Sequence, residues 1–325
     1  MADPIAVYPP GRVSLRDVTL RDGLQMTRSW PTTAGKRAVV AALHDAGLRH
    51  LEVGSFLPAD RMPQFADVRQ VIDTLADRPG LHGVALALNA RGARDALATD
   101  VAEITVVISA SEAHNRANAR RCQAESLAAL EQVAALRDTV RPDAIINAGI
   151  AMAFGCSIQG AVDQGAVLHL VERCLSAGAD MVGLADTVGH AGPRQIASAA
   201  RAMEGLCGAR PWVLHLHDTR GLGLANAAAG LDHGCRVLDG ALGGLGGCPF
   251  APGAAGNIVL EDLAFLAEGM GFETGIDLPA LIAARAVLAG VLPDAPLLGA
   301  LARAGLPLTG AMAIAAPANL HTGTD

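Results

Sequence analysis

The sequence predicts an α/β fold, a (β/α)8 TIM barrel with extra C-terminal helices. Its 325 residues suffice for one such barrel and a short appendage. Because 51% of the residues are apolar and only 3% are aromatic, the core must consist of Ala, Val, Leu and Ile, as a layered barrel interior does. Apolar runs also alternate eight times with Ala-rich helical stretches, which is the pattern of βα units around a parallel sheet.

The predicted strands are short apolar or β-branched runs, each followed by a loop and a helical pattern. They cover residues 13–20, 49–55, 81–88, 103–109, 144–152, 180–185, 212–217 and 236–242. Gly47 and Gly178 precede the second and sixth strands, where a helix commonly ends on glycine. We expect a closing helix at 258–270, two more helices within 278–304, and a frayed tail at 305–325.

These elements suggest an N-terminal extension over residues 1–12, a catalytic barrel over 12–290 and a helical extension with a tail over 291–325. The first residues lack a basic segment followed by an apolar one, and no run reaches ~18 uncharged apolar residues. We therefore expect no export and no membrane partner. Six cysteines without a CxxC pair indicate neither a disulfide scaffold nor a zinc knuckle, and favour a cytoplasmic location.

Charge and lysine content exclude several functions. A formal net charge of −7 without a basic run argues against a nucleic-acid partner, because phosphate recognition needs clustered Lys and Arg. The only lysine of the chain is Lys36, in an early predicted helix. A Schiff-base aldolase would need a lysine at a strand end, so that chemistry is excluded.

Polar residues follow the ends of predicted strands, where the catalytic groups of such barrels lie. Arg21 and Asp22 come after the first strand, although an ion-paired turn would give the same pattern. His215 and His217 lie in the seventh strand and point to the same side, with Cα atoms ~7 Å apart. They can converge on one cation, or be hydrogen-bonded core residues.

Asn257 begins the predicted closing helix, where its side chain can cap the helix or offer an oxygen to a cation. Together, Asp22, His215, His217 and Asn257 form a mixed oxygen and nitrogen ligand set. Such a set suits Mg²⁺ or Mn²⁺, whereas structural zinc more often recruits thiolates.

Two carboxylates and a glycine-rich loop complete the predicted site. Glu52 and Asp186 lie at strand ends and can orient a ligand histidine or Arg21, with N-capping or loop bracing as the alternative for Asp186. The stretch 240–257 contains seven glycines, which predicts a mobile lid or a phosphate-cradling loop. Cys248, in the middle of this loop, could be delivered to the site, or be an inert buried thiol.

Seven motifs, in their order, resemble the 3-hydroxy-3-methylglutaryl-CoA (HMG-CoA) lyase branch of the barrel metallolyases. They are RDGLQ (21–25), LEVGSF (51–56), SASEAHNRAN (109–118), ADTVG (185–189), HLHDTRG (215–221), GGLGGCPFAPGAAGN (243–257) and EDL (261–263). The resemblance spans about residues 12–290. It implies the same four metal ligands, the catalytic residues Arg21, Cys248, Asp186 and Glu52, and CoA contacts at Asn118 and Arg28.

The activity implied is a metal-dependent retro-Claisen cleavage of an HMG-CoA-like 3-hydroxyacyl-CoA to acetyl-CoA and an acetoacetate-like keto acid. The CoA thioester is the small-molecule partner, Mg²⁺ or Mn²⁺ the cofactor, and a homodimer or higher homo-oligomer the expected assembly. On strand 5 the family typically has Tyr and Ser where this chain has Gly149 and Ala151, which enlarges the acyl pocket.

Three alternatives remain open. The substrate can be another 3-hydroxyacyl-CoA, with a longer 3-substituent or of malyl type. The enzyme can work in the condensing direction, as isopropylmalate and homocitrate synthases do, although the cysteine loop and the chain length favour the lyase. An inactive CoA-binding barrel is the third alternative, against which the intact ligand set and Cys248 argue.

Overall fold

Eight parallel strands close into a barrel in the computed structural model, which describes residues 2–247 and 256–307. The strands are β1 (Ser14–Asp17), β2 (His50–Ser55), β3 (His82–Leu86), β4 (Glu103–Ser109), β5 (Ile145–Ala151), β6 (Met181–Asp186), β7 (Trp212–Leu216) and β8 (Val237–Gly240). Each pairs in parallel with its neighbours in the chain, and β8 pairs with β1. The predicted barrel is confirmed.

Helices alternate with these strands and continue beyond the last one. They are α1 (Pro4–Val7), α2 (Thr33–Asp45), α3 (Val68–Ile72), α4 (Ala90–Leu97), α5 (Glu112–Ala119), α6 (Gln123–Val140), α7 (Gln164–Ser176), α8 (Pro193–Cys207), α9 (Gly223–Asp232), α10 (Leu260–Gly269), α11 (Leu278–Val291) and α12 (Ala300–Ala304). The closing helix α10 and the two extra helices lie where the sequence predicts them. Within the described ranges, no helix combines the length and apolarity needed to cross a membrane.

The first strand is shorter than predicted, and the difference positions the site. β1 ends at Asp17, whose carboxylate accepts hydrogen bonds from the backbone nitrogen of Thr19 at 3.1 Å and from its hydroxyl at 2.6 Å. These local bonds compete with continued strand pairing. Residues Thr19–Gly23 form a π-helical turn instead, so Arg21 and Asp22 are presented by a turn rather than by the strand itself.

A buried charged layer lies inside the barrel below the strand ends. Arg16 of β1 pairs with Glu103 of β4 and with Asp239 of β8, both at 2.7 Å. The N-terminal extension reaches this layer, since the Tyr8 hydroxyl donates to Glu103 at 2.7 Å and its ring stacks on His50 with centroids 4.6 Å apart. Tyr8 thereby packs against the base of the barrel, at the end opposite to the predicted site.

Candidate active site

A cavity of about 300 Å³ opens at the C-terminal ends of the strands. Its walls include the predicted residues Arg21, Asp22, Glu52, His215 and His217. Five residues predicted from three separate stretches of sequence therefore meet in one cavity. Lys36 does not line it: this lysine is 2% exposed on α2 and pairs with Asp67, which agrees with the exclusion of a Schiff-base mechanism.

Three ligand atoms converge in the upper part of the cavity. The Nε2 atoms of His215 and His217 are 3.1 Å apart, and Asp22 Oδ2 lies 4.0 Å from the first and 3.5 Å from the second. All three side chains can offer an atom within 4.8 Å of the others. Burial would raise the pKa of Asp22, but the Arg21 guanidinium and the two imidazoles hold it well below its usual range. The cluster is a candidate metal site.

Asn257 joins this cluster from the segment before α10. It forms an isolated bridge with His217, and its Nδ2 donates to Asp22 Oδ2 at 2.9 Å and to the Leu245 carbonyl at 3.0 Å. Because α10 begins only at Leu260, Asn257 does not cap it, and that alternative is wrong. The Asn257 Oδ1 atom is buried without a hydrogen-bond partner among the described residues, as a further oxygen ligand would be.

Asp239 orients one of the two histidines, and the sequence reasoning missed it. Its Oδ2 lies 3.0 Å from His215 Nδ1. A proton on Nδ1 leaves Nε2 as the lone-pair donor toward Asp22, which is the usual arrangement of a metal-ligating histidine. Desolvation lowers the pKa of His215, but the hydrogen bond and charge of Asp239 raise it overall. The sequence feature that could have revealed Asp239 is an acidic residue in the middle of the apolar strand RVLDGAL.

Arg21 is held by two carboxylates. Its Nε lies 2.7 Å from Glu52 Oε2, and its Nη1 lies 2.5 Å from Asp22 Oδ1. Burial raises the pKa of Glu52, which is 1% exposed, while Arg21 lowers it. Of the two roles expected for Glu52, the geometry favours orientation of Arg21.

Asp186 takes the position of a loop brace at the end of β6. Its two carboxylate oxygens accept from the backbone nitrogens of His190 at 2.8 Å and Ala191 at 3.1 Å. It is not among the residues that line the cavity. The geometry thus favours the bracing alternative, with Asp239 in the histidine-orienting position.

The remaining predicted residues divide between the cavity and its surroundings. Asn118 of α5 lines the cavity, whereas Arg28 is exposed and is not among the lining residues. Cys248 lies outside the described residues. Gly247, which precedes it in the chain, lines the cavity beside the mouth.

Residues 12–288 match the sequence model of the HMGL-like family. The chain is 36% identical over 275 residues to a hydroxymethylglutaryl-CoA lyase of Bacillus subtilis, an alignment that covers 85% of this chain and 91% of the relative. It is 38% identical over 291 residues to an (R)-citramalyl-CoA lyase of Chloroflexus aurantiacus, covering 86% and 91% of the two chains.

A solved structure shows the same arrangement of the chain. An HMG-CoA lyase from Acinetobacter baumannii, in complex with coenzyme A and 3-methylmalate, superimposes with a TM-score of 0.86 at 36% identity. The superposition covers 93% of this chain and 97% of that one. The similarity therefore includes the whole barrel and the strand ends that form the cavity.

Proposed function

The chain belongs to the HMGL-like family of carbon–carbon lyases, and we propose that it cleaves an HMG-CoA-like 3-hydroxyacyl-CoA to acetyl-CoA and an acetoacetate-like keto acid. The observation that carries this proposal is the convergence of Asp22, His215 and His217 in a cavity that also holds Arg21. Relatives that share the barrel along most of its length carry the names of lyases acting on CoA esters.

We propose that Asp22, His215, His217 and Asn257 hold the divalent cation. The residues fit such an ion: three ligand atoms already converge, and a buried carboxamide oxygen lacks a partner beside them. Oxygen and imidazole donors without a described thiolate suit Mg²⁺ or Mn²⁺. When bound, the cation supplies a Lewis acid that lowers the pKa of the substrate hydroxyl and orients it.

The residues of the chain then handle protons and charge. Asp22 and His215 are the two candidates to accept the proton of the 3-hydroxyl, whose oxygen becomes the carbonyl of the keto acid as the C2–C3 bond breaks. The electron pair of that bond passes to the thioester as an enolate. We assign Arg21 to the enolate oxygen, because Glu52 and Asp22 hold its guanidinium at the cavity wall.

Protonation of the enolate carbon completes the reaction and releases the acyl-CoA. We propose Cys248 as the acid, since Gly247, one residue before it in the chain, lines the cavity. Asn118 lines the cavity, and we propose that it contacts the CoA arm. The homodimeric or higher assembly and the cytoplasmic location stay predictions from the sequence.

The proposal is tested by incubating the purified protein with HMG-CoA, citramalyl-CoA and a series of 3-alkyl homologues. We expect release of acetyl-CoA, detected by mass spectrometry, that stops in EDTA and returns with Mg²⁺ or Mn²⁺. Cleavage that persists in EDTA would contradict the metal site. If no ester is cleaved under any condition, the chain is a CoA-binding barrel without lyase activity.

A citramalyl-type ester is the second candidate substrate. The observation that favours it is the 38% identity to an (R)-citramalyl-CoA lyase over 86% of this chain. Both candidates need the same metal cluster and the same enolate-stabilising arginine. They differ in the keto acid released, which is pyruvate from a citramalyl ester and acetoacetate from HMG-CoA.

Asp239→Asn is expected to weaken divalent-metal affinity by about 10–100-fold, because loss of the orienting carboxylate disturbs the tautomer and position of His215. Titration calorimetry with Mn²⁺ measures the change. Asp232→Asn, at the end of α9 outside the cavity, is the matched control and should bind Mn²⁺ as the native chain does. Unchanged affinity in Asp239→Asn would show that Asp239 does not position the ligand.

A further inference from the structure

A recess of small side chains lies in the cavity wall beside the metal cluster. On β5 and β6, Gly149 and Gly183 are register partners, and both line the cavity. Toward the mouth the same two strands contribute Ala151 and Ala185 to the wall. His215 and His217 come from β7, which pairs with β6, and Ala185 is the register partner of His215, so the recess adjoins the metal cluster.

The two glycines are not required by the backbone. Neither Gly149 nor Gly183 has a positive φ angle. A Cβ atom on Gly149 would lie 3.4 Å from Thr105 Cγ2 and 3.6 Å from Val107 Cγ2, which is ordinary contact. Glycine inside a strand weakens it, and often marks a place where a ligand approaches closely. The space left by the missing side chains therefore indicates that part of a ligand binds there.

The floor of the recess carries two unsatisfied polar atoms. Thr105 and Asn147 are register partners on β4 and β5, one inward-facing position below Gly149. Both line the cavity, with only 6% and 1% of their surface exposed. Within the described part of the chain, Thr105 Oγ1 and Asn147 Oδ1 have no hydrogen-bond partner, although Asn147 Nδ2 donates to Glu103 at 3.0 Å. Buried polar atoms of this kind normally have partners.

The charges beneath Thr105 and Asn147 limit which chemical groups of a substrate can bind in the recess. Arg16 is the cation of the charged layer described above, and it is already bound by Glu103 and Asp239. A carboxylate entering the recess would lie near the Glu103 carboxylate that binds Asn147, while Arg16, the cation of this layer among the described residues, is already paired. A neutral hydroxyl can instead donate to Asn147 Oδ1 and accept from Thr105 Oγ1, which satisfies both atoms.

We infer that the enzyme prefers 3-hydroxyacyl-CoA substrates whose C3 substituent is longer than methyl and ends in a hydroxyl group, bound in the recess by Thr105 and Asn147. This inference rests on the proposed function, and it adds the substituent that the same site selects. The reacting hydroxyl and thioester stay at the metal cluster and Arg21, while the substituent extends along the neighbouring wall formed by β4, β5 and β6.

The test compares kcat/KM for 3-hydroxyglutaryl-CoA esters that carry methyl, butyl or 3-hydroxypropyl at C3. The last two substituents have the same number of heavy atoms and differ in the terminal group. We expect 3-hydroxypropyl to exceed methyl, and to exceed butyl, by about tenfold or more. In Thr105→Val the ratio of hydroxypropyl to butyl should fall to about one, whereas Thr105→Ser, which keeps the hydroxyl, should retain it.

Gly149→Leu fills the recess and should reverse the preference between methyl and the longer esters. Gly205→Ala is the matched glycine control on α8, where a Cβ atom would meet nothing within 4 Å, and it should keep the native ratios. Cleavage of all esters with methyl preferred, or ratios unaffected by Thr105→Val, would show that the recess holds only water and overturn the inference alone. Cleavage of no ester would overturn the proposed function itself.

Discussion

Replacing His217 with alanine is expected to lower turnover by about a thousandfold or more, because the cation supplies several kcal/mol of transition-state stabilisation. His217 Nε2 lies 3.1 Å from His215 Nε2 and 3.5 Å from Asp22 Oδ2, so its loss removes one side of the candidate metal site. Affinity for Mn²⁺ should fall in parallel. Calorimetric titration and steady-state kinetics with saturating metal measure the two effects separately.

Two variants keep this experiment interpretable. His217 is buried, so truncation opens space in the wall, and His217→Gln, which retains much of the volume, separates loss of the ligand from loss of packing. His169→Ala, on the exposed surface of α7, is the matched control and should behave as the native chain does. A folded His217→Ala protein with native Mn²⁺ affinity would show that the cation is held elsewhere.

The barrel itself could be predicted from the sequence because its signal is repeated eight times. Each apolar run of strand length is followed by a helical pattern, and β4 matches its predicted bounds, Glu103–Ser109, at both ends. The HxH pair was also readable, since alternation along a strand places His215 and His217 on one face whatever surrounds them. Both inferences depend on local periodicity.

Contacts that depend on closure of the barrel could not be predicted in the same way. Asp239 meets His215 across the pairing of β7 with β8, and it meets Arg16 across the pairing of β8 with β1. A single acid in a strand does not reveal which neighbour it contacts. The π-helical turn at Thr19–Gly23 was missed because the Asp17 side chain, rather than apolar periodicity, ends β1.

Arg21→Met is expected to lower kcat by about 10²–10³-fold with a much smaller effect on KM, as loss of a donor to a developing oxyanion does. Arg21 uses Nε for Glu52 and Nη1 for Asp22. The Arg21 side chain lines the cavity, where the substrate can reach it. Rapid-quench single-turnover kinetics of acetyl-CoA formation measure the chemical step directly.

The effect of Arg21→Met on stability can be separated from its effect on catalysis. Without Arg21, the buried Glu52 carboxylate loses the partner that lowers its pKa, and an unpaired buried charge destabilises a fold by about 3–5 kcal/mol. The double variant Arg21→Met/Glu52→Gln removes both charges. If Arg21 acts on the enolate, the double variant should regain stability in thermal unfolding but remain as slow as Arg21→Met. Recovery of turnover together with stability would show that Arg21 only supports the structure of the site. Arg201→Met, on the exposed face of α8, is the matched arginine control.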